Sequence, residues 1–267
     1  MRKIVHLSDL HFGRVRHDLV DPLIAFVNKA APDLVAVSGD LTQRARHAQF
    51  EEARAFLDRI EAPCVVVPGN HDVPLDRIGV RLLAPYARYR RWIGADLEPC
   101  FSDERLTVVG LNTVSPLDWQ RGRIGARAIE RTCAAFAAGG DGRTRIVVAH
   151  HPFIQPPEVK KASMRGATTG VAALARCGTD IILSGHLHAW RAEPALLAEG
   201  HRRMLLIQAG TGLSTRLRGE DNDFNVLSVY PAKVTVEHYA ARSRASEFAL
   251  TSVVHFHLDS AGWSRTD

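Results

Sequence analysis

Short runs of aliphatic and β-branched residues recur along the chain, and nearly every one stops at a group of polar side chains. Lys3 to Leu7 reads as a first strand, ending in Ser8-Asp9-Leu10-His11. Leu19 to Ala30 has helical spacing, with Pro22 tolerated near its first turn and Leu23, Ile24, Phe26 and Val27 on the apolar side. Leu34 to Ser38 is a second strand, closed by Gly39-Asp40. From about Ala48, the positions of Ala53, Phe56, Leu57 and Ile60 give a second core-facing helix. Cys64 to Val67 is a third strand, which Pro68-Gly69 stops ahead of Asn70-His71-Asp72. Strand, helix, strand, helix, strand implies right-handed crossovers in a mainly parallel sheet.

The alternation continues with a helix over Ile78 to Ile93, a strand over Leu106 to Leu111 that ends at Asn112-Thr113, and a helix over Ala126 to Ala138. In that last helix Ile129, Cys133, Phe136 and Ala137 face inward. Ile146 to Ala149 is a strand that stops at His150-His151-Pro152, and Phe153 to Gly170 reads as an irregular loop. A short helix, Val171 to Cys177, precedes the strand Ile181 to Leu183, which ends in Ser184-Gly185-His186-Leu187-His188. Beyond it, Met204–Gln208, Phe224–Tyr230, Val234–Tyr239 and Phe248–Leu258 read as successive strands. They are expected to form an antiparallel section completing a second sheet. No repeat, low-complexity stretch or linker divides the chain, so one domain over residues 1–267 is expected.

Composition narrows the class. With 46% hydrophobic and 24% charged residues the chain is globular rather than disordered or fibrous. No apolar run approaches the ~18 residues needed to span a bilayer, and the first strand breaks off too early for a signal-peptide core. These features read as a cytoplasmic protein. The net charge is +5, carried by 29 Arg and 5 Lys against 29 acidic residues. The basic residues form no long stripe; Arg88-Tyr89-Arg90-Arg91-Trp92 is the densest group and reads as core cover, so a nucleic-acid surface is not indicated. The four cysteines, 64, 100, 133 and 177, include no C-x-x-C pair, which excludes zinc-ribbon and thioredoxin-like sites. Buried free thiols are expected.

Five strand ends carry metal-type side chains: Asp9 with His11, Asp40, Asn70 with His71, His150 with His151, and His186 with His188. In open α/β sheets, ligands bind beyond the carboxyl ends of the strands. Asp9 and His11 are two apart, so on extended chain both point to one side, and His186 and His188 repeat the spacing. Each piece alone has a plainer reading: Gly-Asp is a turn or cap, and an Asp-x-His pair is a surface hydrogen bond. Five of them at strand ends of one α/β chain exceed what turn chemistry produces. His255 and His257, by contrast, alternate with Val254, Phe256 and Leu258 and read as the polar face of a strand. Gly210-Thr211-Gly212 lacks the Lys and helix signal of a phosphate loop. Asn112-Thr113 reads equally as a substrate contact or a plain turn, and Arg216 and Arg218 are candidates for gripping a phosphate or a nucleotide.

In order, Asp9-x-His11, Gly39-Asp40, Gly69-Asn70-His71-Asp72, His150-His151-Pro152 and Gly185-His186-x-His188 resemble the motifs of the calcineurin-like metallophosphoesterases, over about residues 4 to 190. The resemblance implies a four-layer αββα sandwich with two mixed sheets and a binuclear centre at the C-terminal ends of the strands. It implies that Asp9, His11 and His188 hold one divalent ion (Mn²⁺, Fe²⁺ or Zn²⁺), that Asn70, His150 and His186 hold the other, and that Asp40 bridges them. His71 corresponds to the family's catalytic imidazole; His151 has no ligand role in that pattern. Asp72 reads as a turn former rather than an orienter of His71. Departures narrow the group. The Asp-Arg-Gly of protein Ser/Thr phosphatases is missing after Gly39-Asp40, and Gln43 stands where purple acid phosphatases place a tyrosine ligand. The chain is also short for the family's DNA-repair exonucleases. What remains most similar is a set of small bacterial enzymes, class III cyclic-nucleotide phosphodiesterases and glycerophosphodiesterases. The expected activity is hydrolysis of a small-molecule phosphodiester by metal-activated hydroxide. Alternatives on the same centre are a nuclease, for which Lys160-Lys161 and the Arg88–Trp92 group speak, or a pyrophosphohydrolase of a nucleotide-linked lipid. A non-catalytic scaffold fits less well, since every ligand position is filled by a competent residue.

Overall fold

The computed structural model describes residues 1–75, 77–118, 120–155, 159, 162–195, 202–217, 219–242 and 245–266, so Lys160, Lys161 and Arg218 fall outside the described residues. In chain order the first elements are β1 (Arg2–Leu7), α1 (Val20–Ala30), β2 (Leu34–Val37), α2 (His47–Asp58), β3 (Cys64–Val66), α3 (Ile78–Leu83) and α4 (Ala87–Trp92). They are followed by β4 (Cys100–Ser102), β5 (Leu106–Leu111), α5 (Ala126–Gly139), β6 (Thr144–Ala149), α6 (Ala167–Arg176) and β7 (Ile181–Ser184). The remainder is strand: β8 (Arg191–Ala195), β9 (Met204–Gln208), β10 (Asn222–Tyr230), β11 (Lys233–Ala241), β12 (Ala249–Asp259) and β13 (Gly262–Thr266).

Two mixed sheets result. The first has the order β13-β12-β11-β10-β1-β2-β3 and the second β4-β5-β6-β7-β9-β8. β1, β2 and β3 are parallel, as are β5, β6, β7 and β9. The period-two alternation of each buried strand sorts its side chains between two cores. Val5, Leu7, Val35, Val37 and Val66 pack with Leu23, Val27, Phe50 and Phe56 of α1 and α2. Their neighbours Ile4, Leu34, Ala36, Val65 and Val67 face the other way, against Val108, Ile146, Val148, Ile181 and Leu183 of the second sheet. Val109, Val147, Ala149 and Ile182 then meet Phe136, Val171 and Leu174 of α5 and α6. Helices, sheet, sheet, helices is the four-layer arrangement that the motifs implied.

The C-terminal strands depart from expectation. Only β9, with the short edge strand β8, extends the second sheet; β10 to β13 join the first, starting from β10 against β1 with Ile4 opposite Leu227 and His6 opposite Asn225. Without β10, the parallel strand β1 would present an unpaired edge. Leu227, Val229, Val234, Val236 and Phe256 continue the inter-sheet face that Ile4 begins. The single helix expected over Ile78 to Ile93 is two helices, because Pro85 cannot donate its backbone nitrogen and pushes Ala84 out of helical geometry, to φ −147°. α4 does cover the core: Tyr89 is fully buried with its hydroxyl donating to the Val66 carbonyl at 3.0 Å, and Arg88 donates to the Ala45 carbonyl at 2.8 Å. The expectation of four buried free thiols is corrected as well. Cys133 on α5 and Cys177 at the end of α6 are joined in a disulfide, Cys100 is exposed and Cys64 is half-buried. Residues 44 apart give no local signal of pairing; the packing of α5 beside α6 brings them together.

No helix among the described residues is long and apolar enough to cross a membrane. The cysteine pairing has a direct readout. Unfolded without reductant, the protein is expected to titrate two thiols, and four after reduction; four in both states would contradict the pairing.

Candidate metal centre

The five polar strand ends converge, but not by the extended-chain alternation expected of them. Asp9, His11, Asp40, His186 and His188 all have left-handed backbone, with φ of 51°, 53°, 52°, 73° and 59°. Five of the seven non-glycine residues in that conformation among the described residues are therefore candidate ligands. Each such residue costs on the order of 1–2 kcal/mol relative to ordinary backbone. Loop-to-loop hydrogen bonds hold the chain there: Asp9 N to Gly39 O at 3.1 Å, His11 N to Asp40 O at 2.9 Å and Gly185 N to His150 O at 3.1 Å. Gly39, at φ 89°, lets the loops close, since a Cβ there would stand 2.8 Å from both the Gly69 nitrogen and His150 Nδ1.

Asp9, His11, Asp40, Asn70, His150, His186 and His188 are all buried. Asp9 commits its outer oxygen, Oδ2, to the Ser8 hydroxyl at 2.7 Å and the His186 backbone nitrogen at 2.9 Å. Its Oδ1 then faces inward, 3.2 Å from His188 Nε2 and 3.5 Å from His11 Nε2. Asp40 is oriented in the same way. Its Oδ1 accepts from the His71 backbone nitrogen at 2.8 Å, while Oδ2 lies 3.7 Å from His11 Nε2 and 3.4 Å from His150 Nε2. His150 donates Nδ1–H to the Ser38 carbonyl at 2.8 Å, and His188 donates to the Arg216 carbonyl at 3.1 Å. Those outer bonds fix the tautomer that leaves Nε2 pointing inward. His150 Nε2 stands 3.1 Å from Asn70 Oδ1 and 3.3 Å from His186 Nδ1.

Whether these groups suit a cation can be judged from what they lack. Asp9 Oδ1 and both ring nitrogens of His11 are buried with no hydrogen-bond partner among the described residues. Burial pushes the Asp9 carboxyl up, yet His188, His11 and His150 together hold it well below the usual carboxylate range. Burial likewise lowers the His150 imidazole, and Asp40 and Asp9 outweigh it, pushing it up to about 9. Carboxylates compensated by imidazole protons are the groups a divalent ion binds with release of those protons. Asp9, His11 and His188 form one potential metal-holding group, Asp9, Asp40 and His150 a second, and His150, His151 and His186 a third. Nitrogen and oxygen donors without thiolate suit Mn²⁺, Fe²⁺ or Zn²⁺. The residues fit metal.

Comparison with known sequences decides the family: the profile described as calcineurin-like phosphoesterase matches residues 2–190. The chain belongs to the calcineurin-like phosphoesterases. It is thereby a metal-dependent phosphoric ester hydrolase, and its buried donor set suits a metal. A protein of Synechococcus sp. named a probable cyclic nucleotide phosphodiesterase is 23% identical over 234 residues, 80% of this chain and 78% of that one. The glycerophosphodiester phosphodiesterase GpdQ of Enterobacter lignolyticus is 32% identical over 80 residues, 26% of this chain and 29% of its own length. Among solved structures, purple acid phosphatase PPD1 from yellow lupin superposes with a TM-score of 0.70 at 15% identity, covering 95% of this chain and 53% of that one. A dimetal phosphatase from Danio rerio gives 0.65 at 12% identity, over 93% and 98%. These structural likenesses speak to the fold.

Other residues of this phosphoesterase sort themselves around the centre. His71 is half-buried, its ring 4.9 Å from that of His11; Nδ1 donates to the Gln43 carbonyl at 2.8 Å. Arg216 NH1 meets His71 Nε2 at 3.3 Å, so the arginine lies beside the imidazole. Asn112 is not joined to this group by any described hydrogen bond: its oxygen accepts from Val114 N at 3.0 Å, as in a turn. Thr113, which the sequence offered as a substrate contact or a plain turn, instead reaches His151 Nδ1 at 2.8 Å. A lone threonine after a strand gives no sequence signal of that contact. Gly210 and Gly212 serve packing, donating to Asp223 Oδ1 and to the Ser8 carbonyl. His255 pairs with Thr235 across β11 and β12, on the polar strand face expected of it.

Asp72 has a larger part than a turn. Its carboxylate accepts from Leu41 N, Thr42 N, the Thr42 hydroxyl and Gly69 N, at 3.1, 2.8, 2.9 and 2.9 Å. It clamps the loop after β2 to the loop after β3 and does not touch the His71 ring. Asp72→Asn leaves one acceptor oxygen for those donors and is expected to destabilise the fold by about 1.5–3 kcal/mol. Chemical denaturation of the two proteins measures this, and equal midpoints and slopes would refute the clamp.

Proposed function

We propose that this protein is a binuclear metal-dependent phosphodiesterase acting on small-molecule diesters. The observation that carries the reading is the position of Asp40 Oδ2, within 3.7 Å of His11 Nε2 on one side and 3.4 Å of His150 Nε2 on the other. A carboxylate so flanked is suited to be shared. In this assignment Asp9, His11 and His188 would hold one divalent ion, Asn70, His150 and His186 would hold the other, and Asp40 would serve both. Asn70 contributes a neutral oxygen, so Asp9 and Asp40 are the only formal charges set against two divalent ions. The site therefore stays positive and attracts phosphate. Bound there, the ions supply Lewis acidity toward phosphoryl oxygens and acidify water for in-line attack.

The chain's own groups supply the rest. Arg216 NH1 lies 3.3 Å from His71 Nε2, and its guanidinium is suited to orient a phosphoryl oxygen beside that imidazole. Burial keeps the His71 imidazole below its ordinary pKa, and the charge of Arg216 acts in the same direction. An anionic ester entering between the two favours protonation at His71 Nε2. With Nδ1–H fixed on the Gln43 carbonyl, that Nε2 proton is the one positioned to pass to the departing alkoxide. Asn112, engaged in its own turn, is left out of the proposal. The relatives named for cyclic nucleotides and for glycerophosphodiesters support a diester with a small leaving alcohol.

Hydrolysis of bis(p-nitrophenyl) phosphate by the metal-loaded protein tests this. Turnover is expected with Mn²⁺, is lost after chelation, and is abolished in Asp40→Ala. His71→Ala is expected to lower kcat about 10²–10⁴-fold, and Arg216→Ala to lower kcat/KM about 10–100-fold, as removal of a charged hydrogen bond does. A metal-loaded sample inert toward this ester, cyclic nucleotides and glycerophosphodiesters alike would refute the function.

A further inference from the structure

The stop after β6 brings two imidazoles to one place, and the second has no part in the ligand assignment above. His151 is 1% exposed. Its Nδ1 is 2.8 Å from the Thr113 hydroxyl, which also accepts from the His151 backbone nitrogen at 3.2 Å, and the ring hydrogen-bonds the Gln120 backbone. Gly122 closes over the Nδ1 edge of the ring, where a Cβ would stand 2.5 Å from Nδ1. The other nitrogen is in the opposite condition. Nε2 is buried and has no hydrogen-bond partner among the described residues. The ring lies 4.7 Å from that of His186 and 4.9 Å from that of His150, and a nitrogen of each of the three lies within 4.8 Å of the other two.

A neutral imidazole whose Nδ1–H is given to protein oxygen keeps a bare lone pair on Nε2. His150 and His188 have the same arrangement, Nδ1 on a backbone carbonyl and Nε2 turned toward the carboxylates. That outer-bond pattern is the one metal-ligating histidines adopt. We propose that His151 Nε2 is a further donor to the ion held by Asn70, His150 and His186. The inference rests on the two-metal reading and deepens it, because a third imidazole widens the difference that Asp9 and Asn70 already make between the two sites. One has Asp9, Asp40 and two imidazoles; the other has Asp40, an amide oxygen and three imidazoles. Imidazole-rich donors suit Zn²⁺, whereas the carboxylate-rich set suits Mn²⁺.

Calorimetric titration of metal-free protein with Co²⁺, together with the visible spectrum of the Co²⁺-loaded form, tests the assignment. His151→Phe keeps the ring's packing and removes its donor; Thr113→Val keeps the donor and removes its support. The wild type is expected to bind two ions. In His151→Phe the second is expected to bind about 10–100-fold more weakly with an altered visible spectrum, while the first is unchanged; Thr113→Val falls between. Should His151→Phe fail to fold, histidine-¹⁵N-labelled wild type decides: Zn²⁺ is expected to shift the His151 Nε2 resonance as it shifts that of His150, and an unmoved resonance overturns the proposal. Two ions bound with wild-type affinities and spectra in both variants would overturn the role of His151 and leave the two-metal reading standing. A wild type that binds fewer than two ions would remove that reading itself, and this inference with it.

Discussion

Two buried carboxylates, Asp9 and Asp40, set the terms for the rest of the molecule. An unpaired ion in a protein interior costs several kcal/mol, and here both are no more than 1% exposed. Each is handled in the same way. One oxygen is satisfied by backbone donors or a hydroxyl, and the other is left facing imidazole nitrogens. The left-handed turns at Asp9, His11, Asp40, His186 and His188 are the conformational cost of aiming those groups at one another. Ordinary strand ends would have sent them past each other.

The loop Gly69-Asn70-His71-Asp72 shows how closely such a site divides its work. Asn70 turns its oxygen toward His150. His71 uses its backbone nitrogen to orient Asp40 and its ring to face Arg216. Asp72 faces backward, gathering backbone donors from its own loop and the neighbouring one. Three consecutive residues thus serve three directions, which a short 3-10 turn makes available and an extended strand does not.

Much of this was legible in the sequence because metal chemistry needs particular side chains and parallel strands deliver them to one end. The strands leading to Asp9, Asp40, Asn70, His150 and His186 were all readable from their β-branched runs. What could not be read depends on contacts between distant segments. Alternation in Phe224–Tyr230 says that one face is buried, but not against which sheet. β4, β8 and β13 are short edge strands with no alternating apolar signal, and Pro194 lies within β8. Pro85 was visible, and its break in the helix over Ile78 to Ile93 should have been expected. The disulfide between Cys133 and Cys177, and the hold of Thr113 on His151, arise from packing that leaves no local pattern.

The centre also straddles the two sheets. Asp9 and Asp40 come from the first, and His150, His186 and His188 from the second; Asp9 holds the His186 backbone while His150 holds the Ser38 carbonyl. Between the sheets below lies an apolar contact that includes Ile4, Leu34, Val65, Ile146 and Ile181. Such a contact resists separation but has little directional preference. The polar groups at one rim therefore act as a rivet, fixing the angle and sliding position of two otherwise greasy plates. Ions held by this donor set would be gripped from both sides and would tighten that rivet, so the proposed metal centre would also keep the two halves of the molecule in register.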